Sequence, residues 1–192
     1  MNVSREEAAQ ALDDIGKAGG RIVQLKGYHA AAPHFIVWGL VWLFANSVSQ
    51  FLPEQQRLAW PLGVAIGILA SAVQGFIHAR KYPRGTEANK RERWIGSRSA
   101  ATSIVMFGFI FCTVWIAHPE TDREINAMIS IFFPFIYMGA GIWVGWRLFA
   151  IGFVTAVAIM AGYFLIGDYF PLWMGVFGGG SLIAGGIWLR TA

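Results

Sequence analysis

The chain has 192 residues, 56% of them apolar and 14% charged, with a net charge of +4. A soluble domain carries nearer about a quarter charged residues. The deficit is concentrated in the runs 27–53, 58–79, 99–119, 125–146, 148–167 and 169–189, which hold no Asp, Glu, Lys or Arg. A helix crosses a hydrocarbon core of about 30 Å with about 20 residues, and every one of these runs reaches that length. A membrane β-barrel is excluded, because alternating strands of about ten residues are absent. The expected fold class is all-α integral membrane: six transmembrane helices in three antiparallel hairpins, preceded by an amphipathic N-terminal cytoplasmic helix.

Residues 1–30 form the expected cytoplasmic segment, and 31–192 the transmembrane domain. Ser4 and Glu7 make a capping box, and the helix it starts carries Leu12 and Ile15 as apolar positions. Glu6, Glu7, Asp13 and Asp14 interrupt any signal-peptide core. Gly19-Gly20 is expected to break this helix. Residues Arg21 to Lys26 then form a short amphipathic stretch, either at the membrane surface or docking a partner.

The first span is expected at about 34–52. It is the most polar of the six, with Asn46, Ser47, Ser49 and Gln50. Asn46 and Gln50 share a helix face. The second span, about 59–78, holds Gln74, and Pro61 is expected in its first turn, where a missing N–H costs least. Asn46, Ser49, Gln50 and Gln74 are grouped as a polar intramembrane cluster, serving helix packing or lining a cavity.

Residues 79–98 form the longest polar interruption. Arg80, Lys81, Arg84, Lys90, Arg91 and Arg93 make it a candidate surface for a partner or for anionic lipid. Pro83-Arg84-Gly85 signals a turn, and 87–94 a short surface helix. The later spans are expected at about 99–117, 126–146, 148–166 and 171–189, with a kink at Pro134 in the fourth. The turn at Arg147 is short enough to make the fourth and fifth spans an antiparallel pair.

Gly63 and Gly67, Gly141 and Gly145, and Gly175 and Gly179 each stand four apart. Such pairs let helix backbones approach closely, so the second, fourth and sixth spans are expected to make the tightest contacts. A weak internal repeat relates the first two spans to the last two: Gly39, Val41, Phe51 and Leu52 align with Gly152, Val154, Phe164 and Leu165.

Charge sets the expected topology. With both termini cytoplasmic, of the basic residues only Arg57 and Arg123 fall outside, together with Glu54, Glu120, Asp122, Glu124 and Asp168. That matches the positive-inside rule and accounts for the net charge without nucleic acid. The expected location is a bacterial inner membrane.

The chemistry is sparse. No Asp, Glu, Lys or Arg lies inside any span, which disfavours an ion-coupled pump. Cys112 is the single cysteine, so an intrachain disulfide is excluded. No catalytic motif and no cofactor is identified. His34 and His78 are weak metal or haem candidates near the cytoplasmic side. Three function classes follow: an accessory or regulatory membrane protein that binds a protein partner or a second copy of itself, a small oligomeric transporter or channel, and a haem-binding or other membrane enzyme. The first is preferred.

Overall fold

The computed structural model describes residues 5–80 and 85–191. The described residues contain no strand, and six of their helices are long and apolar enough to cross a membrane. The fold therefore fits an integral, multi-pass membrane protein.

The first helix, α1, runs unbroken over Arg5–Phe51 (47 residues). The break expected at Gly19-Gly20 does not occur. Glycine costs about 1 kcal/mol in a helix interior, and here it sits among good formers such as Ala11, Leu12, Lys17 and Ala18. Nothing lies within 4 Å of a Cβ built at Gly16, Gly19 or Gly20, so these glycines answer no packing demand. The expected capping serine, Ser4, lies outside the described residues.

A 3-10 turn, Pro53–Gln55, leads into α2 (Gln56–Arg80). This start is earlier than expected and puts Pro61 inside the helix rather than in its first turn. Lys81 and Arg84 lie outside the described residues. The next helix, α3, spans Glu87–Ala117 (31 residues). The separate surface helix expected at 87–94 is thus the first part of α3. Lys90 pairs with Glu87 at 2.7 Å across its first turn, and Gly96 fails to stop it.

Helix α4 covers Asp122–Val144 and opens with a full capping box: the Thr121 hydroxyl accepts from Glu124 N, and the Glu124 carboxylate accepts from Thr121 N. It continues through Pro134. Gly145, with φ 149°, ends it, and α5 (Trp146–Leu165) starts at the next residue. The reversal therefore sits at Gly145 rather than Arg147. Only glycine adopts that backbone without strain, and a Cβ there would also collide with Gln24 and Tyr28.

The last span, Gly167–Arg190, is not one uniform helix. A 3-10 turn (Gly167–Tyr169) precedes α6 (Phe170–Trp173), a π-helical stretch (Met174–Gly179) and α7 (Gly180–Arg190). The π stretch coincides with the glycines at 175, 178 and 179.

Three elements hold the core: α1, the α4–α5 pair and the last span. Tyr28, Phe35 and Trp42 of α1 pack with Leu148, Ile151 and Ile159 of α5, and with Phe170, Met174, Leu182 and Leu189 of the last span. Backbones approach closely at two contacts, between α1 and the last span and within the α4–α5 pair, where a Cβ on Gly141 would collide with Phe149 N. A Cβ on Gly179 would lie 2.7 Å from the Gly39 carbonyl oxygen, and one on Gly186 2.8 Å from that of Ala32. Within α4–α5, a Cβ on Gly152 would lie 2.5 Å from the Pro134 carbonyl oxygen.

Helices α2 and α3 are peripheral. Gly63 and Gly67 of α2 face only side chains, Val41 and Trp38, at 3.1–3.2 Å. The second span is therefore not among the tightest contacts. In α3, Ile110 is the one buried large apolar side chain among the described residues. Its link to α4 includes an edge-on pair, Phe109 and Phe132, with centroids 5.4 Å apart.

Candidate functional site

The polar side chains of α1 are sorted by helix geometry into two levels. At 1.5 Å per residue, His34 and Asn46 stand about 18 Å apart along α1. The His34 Nδ1 lies 3.2 Å from the Ser71 hydroxyl of α2. Gln74, one turn beyond Ser71, belongs to this level. Its buried Oε1 has no donor among the described residues. Gln74 is thus not part of the Asn46 group expected from sequence. His78 is two turns beyond Ser71, about 10.5 Å along α2, so His34 and His78 do not stand at one depth. Among the described residues no three His, Cys, Asp or Glu side chains cluster as a metal site.

The second level is built on Asn46, which is fully buried. Its Nδ2 donates to the Trp42 carbonyl of its own helix at 3.0 Å. Its Oδ1 accepts from Asn126 Nδ2 of α4 at 2.7 Å. The Ser130 hydroxyl donates to Asn126 Oδ1 at 3.1 Å. Sequence reasoning missed Asn126 and Ser130. The available signal was their spacing, i and i+4 on the face of α4 that meets α1. Ser49 takes a different partner, accepting from Trp60 Nε1 of α2 at 3.1 Å. Gln50 faces the last span, where its Oε1 accepts from Leu172 N at 3.4 Å.

Beside this network lies an open-sided cavity of about 850 Å³ lined by α1, α2, α3 and α4 and by Pro171 of the last span. Its inner walls are aromatic: Trp38, Trp42, Phe107, Phe111 and Phe133. Ser49, Asn126 and Ser130 are the polar patches on that wall. Its mouth carries Gln56, Arg57, Asp122 and Arg123, where Gln56 Nε2 donates to Asp122 Oδ2 at 2.7 Å. The volume falls within the roughly 300–1,000 Å³ of small-molecule sites.

Two arginines tie span ends together at opposite faces of the bundle. Arg123 donates to the Tyr163 carbonyl at the end of α5, and its guanidinium lies 4.9 Å from the Tyr163 ring and 5.6 Å from that of Phe170. Arg147 donates to the Trp188 carbonyl at 2.8 Å and lies 5.1 Å from the Trp188 ring. Both donate to carbonyls in the last turn of a helix; the Trp188 carbonyl also accepts from Thr191 N at 3.2 Å. Near Arg147, the Tyr28 hydroxyl accepts from Gln24 Nε2 at 3.0 Å and from Arg147 N at 3.4 Å. These bonds fasten α1 to the α4–α5 turn from Gln24 onward.

Of the basic residues expected to form one surface, Arg80 stacks on Phe76 of its own helix at 4.3 Å, and Lys90 is paired with Glu87. The side chains of Arg91 and Arg93 lie outside what the structure describes. Thr155, fully buried, meets the Ser181 hydroxyl at 2.8 Å and links α5 to α7. Comparison with family models, with curated proteins and with solved structures finds no match to this chain.

Proposed function

We propose that the chain is an accessory membrane protein that holds a protein partner at the cytoplasmic face through the first part of α1. The supporting observation is a helical arm whose apolar side chains no other described helix covers. Every described side chain from Arg5 to Ile22 is exposed, and Leu12 and Ile15 are 70% and 68% exposed. At 100° per residue, Leu12, Ile15, Gly19 and Ile22 fall on one narrow stripe. Gln10, Asp14, Lys17 and Arg21 fall on the opposite side. The 3-4 spacing of the stripe suits a helix-on-helix seam, and Gly19 leaves room for a close approach.

The cytoplasmic assignment rests on the positive-inside count. In this reading the six spans enter and leave in three hairpins, and the firmly packed α4–α5 pair joins the second hairpin to the third. The first part of α3 and the basic residues around it extend the same face. The test is purification from the native membrane with Leu12→Asp and Ile15→Asp, and separately with Leu12→Met. A partner retained by the Met variant and lost from the Asp variants is expected. A complement of bound proteins unchanged by the Asp variants contradicts the reading.

A second reading, a small transporter, draws on the Asn46–Asn126–Ser130 chain beside the cavity. Solute uptake abolished by Asn126→Leu, with the arm variants active, favours it.

A further inference from the structure

The cavity between α3 and the rest of the bundle has a depth, a lining and a mouth that together specify a ligand class. Its lining runs from Asp122 to Phe133 on α4 and from Trp38 to Ser49 on α1. Either stretch rises about 16 Å, close to half of a hydrocarbon core of about 30 Å. The cavity therefore spans one leaflet. Its α3 wall presents Phe107 and Phe111, which are themselves 44% and 66% exposed. A ligand dissolved in the bilayer thus reaches it from the side without crossing water.

The mouth is charged. Arg57 is exposed there and has no hydrogen-bond or ion-pair partner among the described residues. Arg123 has its end fixed on the Tyr163 carbonyl, and its buried Nε–H finds no acceptor among the described residues. Asp122 is the opposing charge, and Gln56 already occupies one of its oxygens. Two guanidinium groups, one with a buried unused donor, call for an oxyanion. The rest of the cavity calls for a hydrocarbon chain of one-leaflet length.

We propose that this cavity binds a single-chain amphiphile, its acyl chain along the aromatic wall and its carboxylate or phosphate head at Arg57 and Arg123. The site is independent of the α1 arm and of the partner assigned to it. Apolar contact fills the depth, and charge-assisted hydrogen bonds fix the head at the membrane boundary.

The experiment uses the full chain purified in a non-ionic detergent and radiolabelled oleate, with methyl oleate and lysophosphatidate as competitors. Saturable binding of oleate is expected, displaced by lysophosphatidate and not by the neutral ester. Stronger displacement by lysophosphatidate than by unlabelled oleate assigns the head as phosphate, and the reverse order as carboxylate. Arg57→Gln, an exposed change outside the core, is expected to weaken oleate about ten-fold, the effect of losing one charge-assisted hydrogen bond. Ile129→Trp, which fills the cavity, is expected to abolish binding. Val154→Trp, on an exposed face of α5 away from the cavity, is expected to leave binding intact. Equal displacement by acid and ester, or oleate binding unaltered by Arg57→Gln, overturns the proposal. Should Ile129→Trp prove unstable, the Arg57→Gln result and the ester comparison decide it alone.

Discussion

Gly39 and Gly179 face each other across the contact between α1 and the last span. A Cβ on either would come within 2.7 Å of the other's carbonyl oxygen. In a bilayer, where apolar burial between helices gains little, backbone approach of this kind is a main source of cohesion. The contact sits at the end of the π-helical stretch, where the last span changes its hydrogen-bonding pattern.

Gly39→Ala and Gly179→Ala are each expected to cost about 1–3 kcal/mol, as overpacking does. Gly179→Leu is expected to cost more. Gly180→Ala is the matched control, because nothing lies within 4 Å of a Cβ built there. Thermal melting in detergent measures all four. Equal losses at 179 and 180 would contradict the close contact.

Asn46→Leu leaves Asn126 Nδ2 without its acceptor in a buried setting. The expected cost is about 0.6–2 kcal/mol, the range of interhelical hydrogen bonds in membranes. Replacing both asparagines is expected to cost less than the two single changes added together, because neither partner is then left unpaired. A double-mutant cycle on unfolding in detergent reads this coupling. Strict additivity would mean that the 2.7 Å bond contributes nothing.

Arg147→Gln removes a bond to the Trp188 carbonyl and a stacked cation. Arg123→Gln does the same at Tyr163 and Phe170. Either is expected to destabilise by about 1–3 kcal/mol, as for hydrogen bonds to charged groups. Arg57→Gln, exposed and unpaired, is expected to leave melting unchanged. Identical behaviour of Arg57→Gln and Arg123→Gln would count against the capping role.

Gly145→Ala combines a disfavoured φ of 149° with collision against Gln24 and Tyr28. It is expected to loosen the α4–α5 turn and to cost about 1–3 kcal/mol, the range for strained backbone. Gly75→Ala, with open space around its Cβ, is expected to be neutral or slightly stabilising. Parallel melting curves of the two variants check this.

The six spans were legible because charge is excluded from lipid, so their edges are written as Asp, Glu, Lys and Arg positions. Helix ends in water were less legible. Gly19-Gly20 carries the composition of a break, yet at about 1 kcal/mol each two glycines cost a long helix too little to end it. The capping box at Thr121 and Glu124 has a plain sequence signature and fixes the start of α4.

Partnership across helices was the least legible. The spacing of Gly175 and Gly179 marks a face for close approach, but its counterpart, Gly39, belongs to no such pair. Asn46 announced itself as a buried amide in need of a partner. That the partner is Asn126, and not Gln74, depends on the relative depth of two helices, which a single sequence does not encode. The cavity is likewise a property of how far α3 stands from its neighbours.

The account turns on the exposed arm of α1, so the most direct test is site-specific photo-crosslinking in cells. A photoreactive residue is placed in turn at positions 12, 15 and 22, and at 10, 14 and 17. An adduct of one defined mass from the first three positions, and none from the second three, is the predicted result. No adduct, or the same adducts from both sides of the helix, would contradict a partner seated on the Leu12–Ile15–Ile22 stripe.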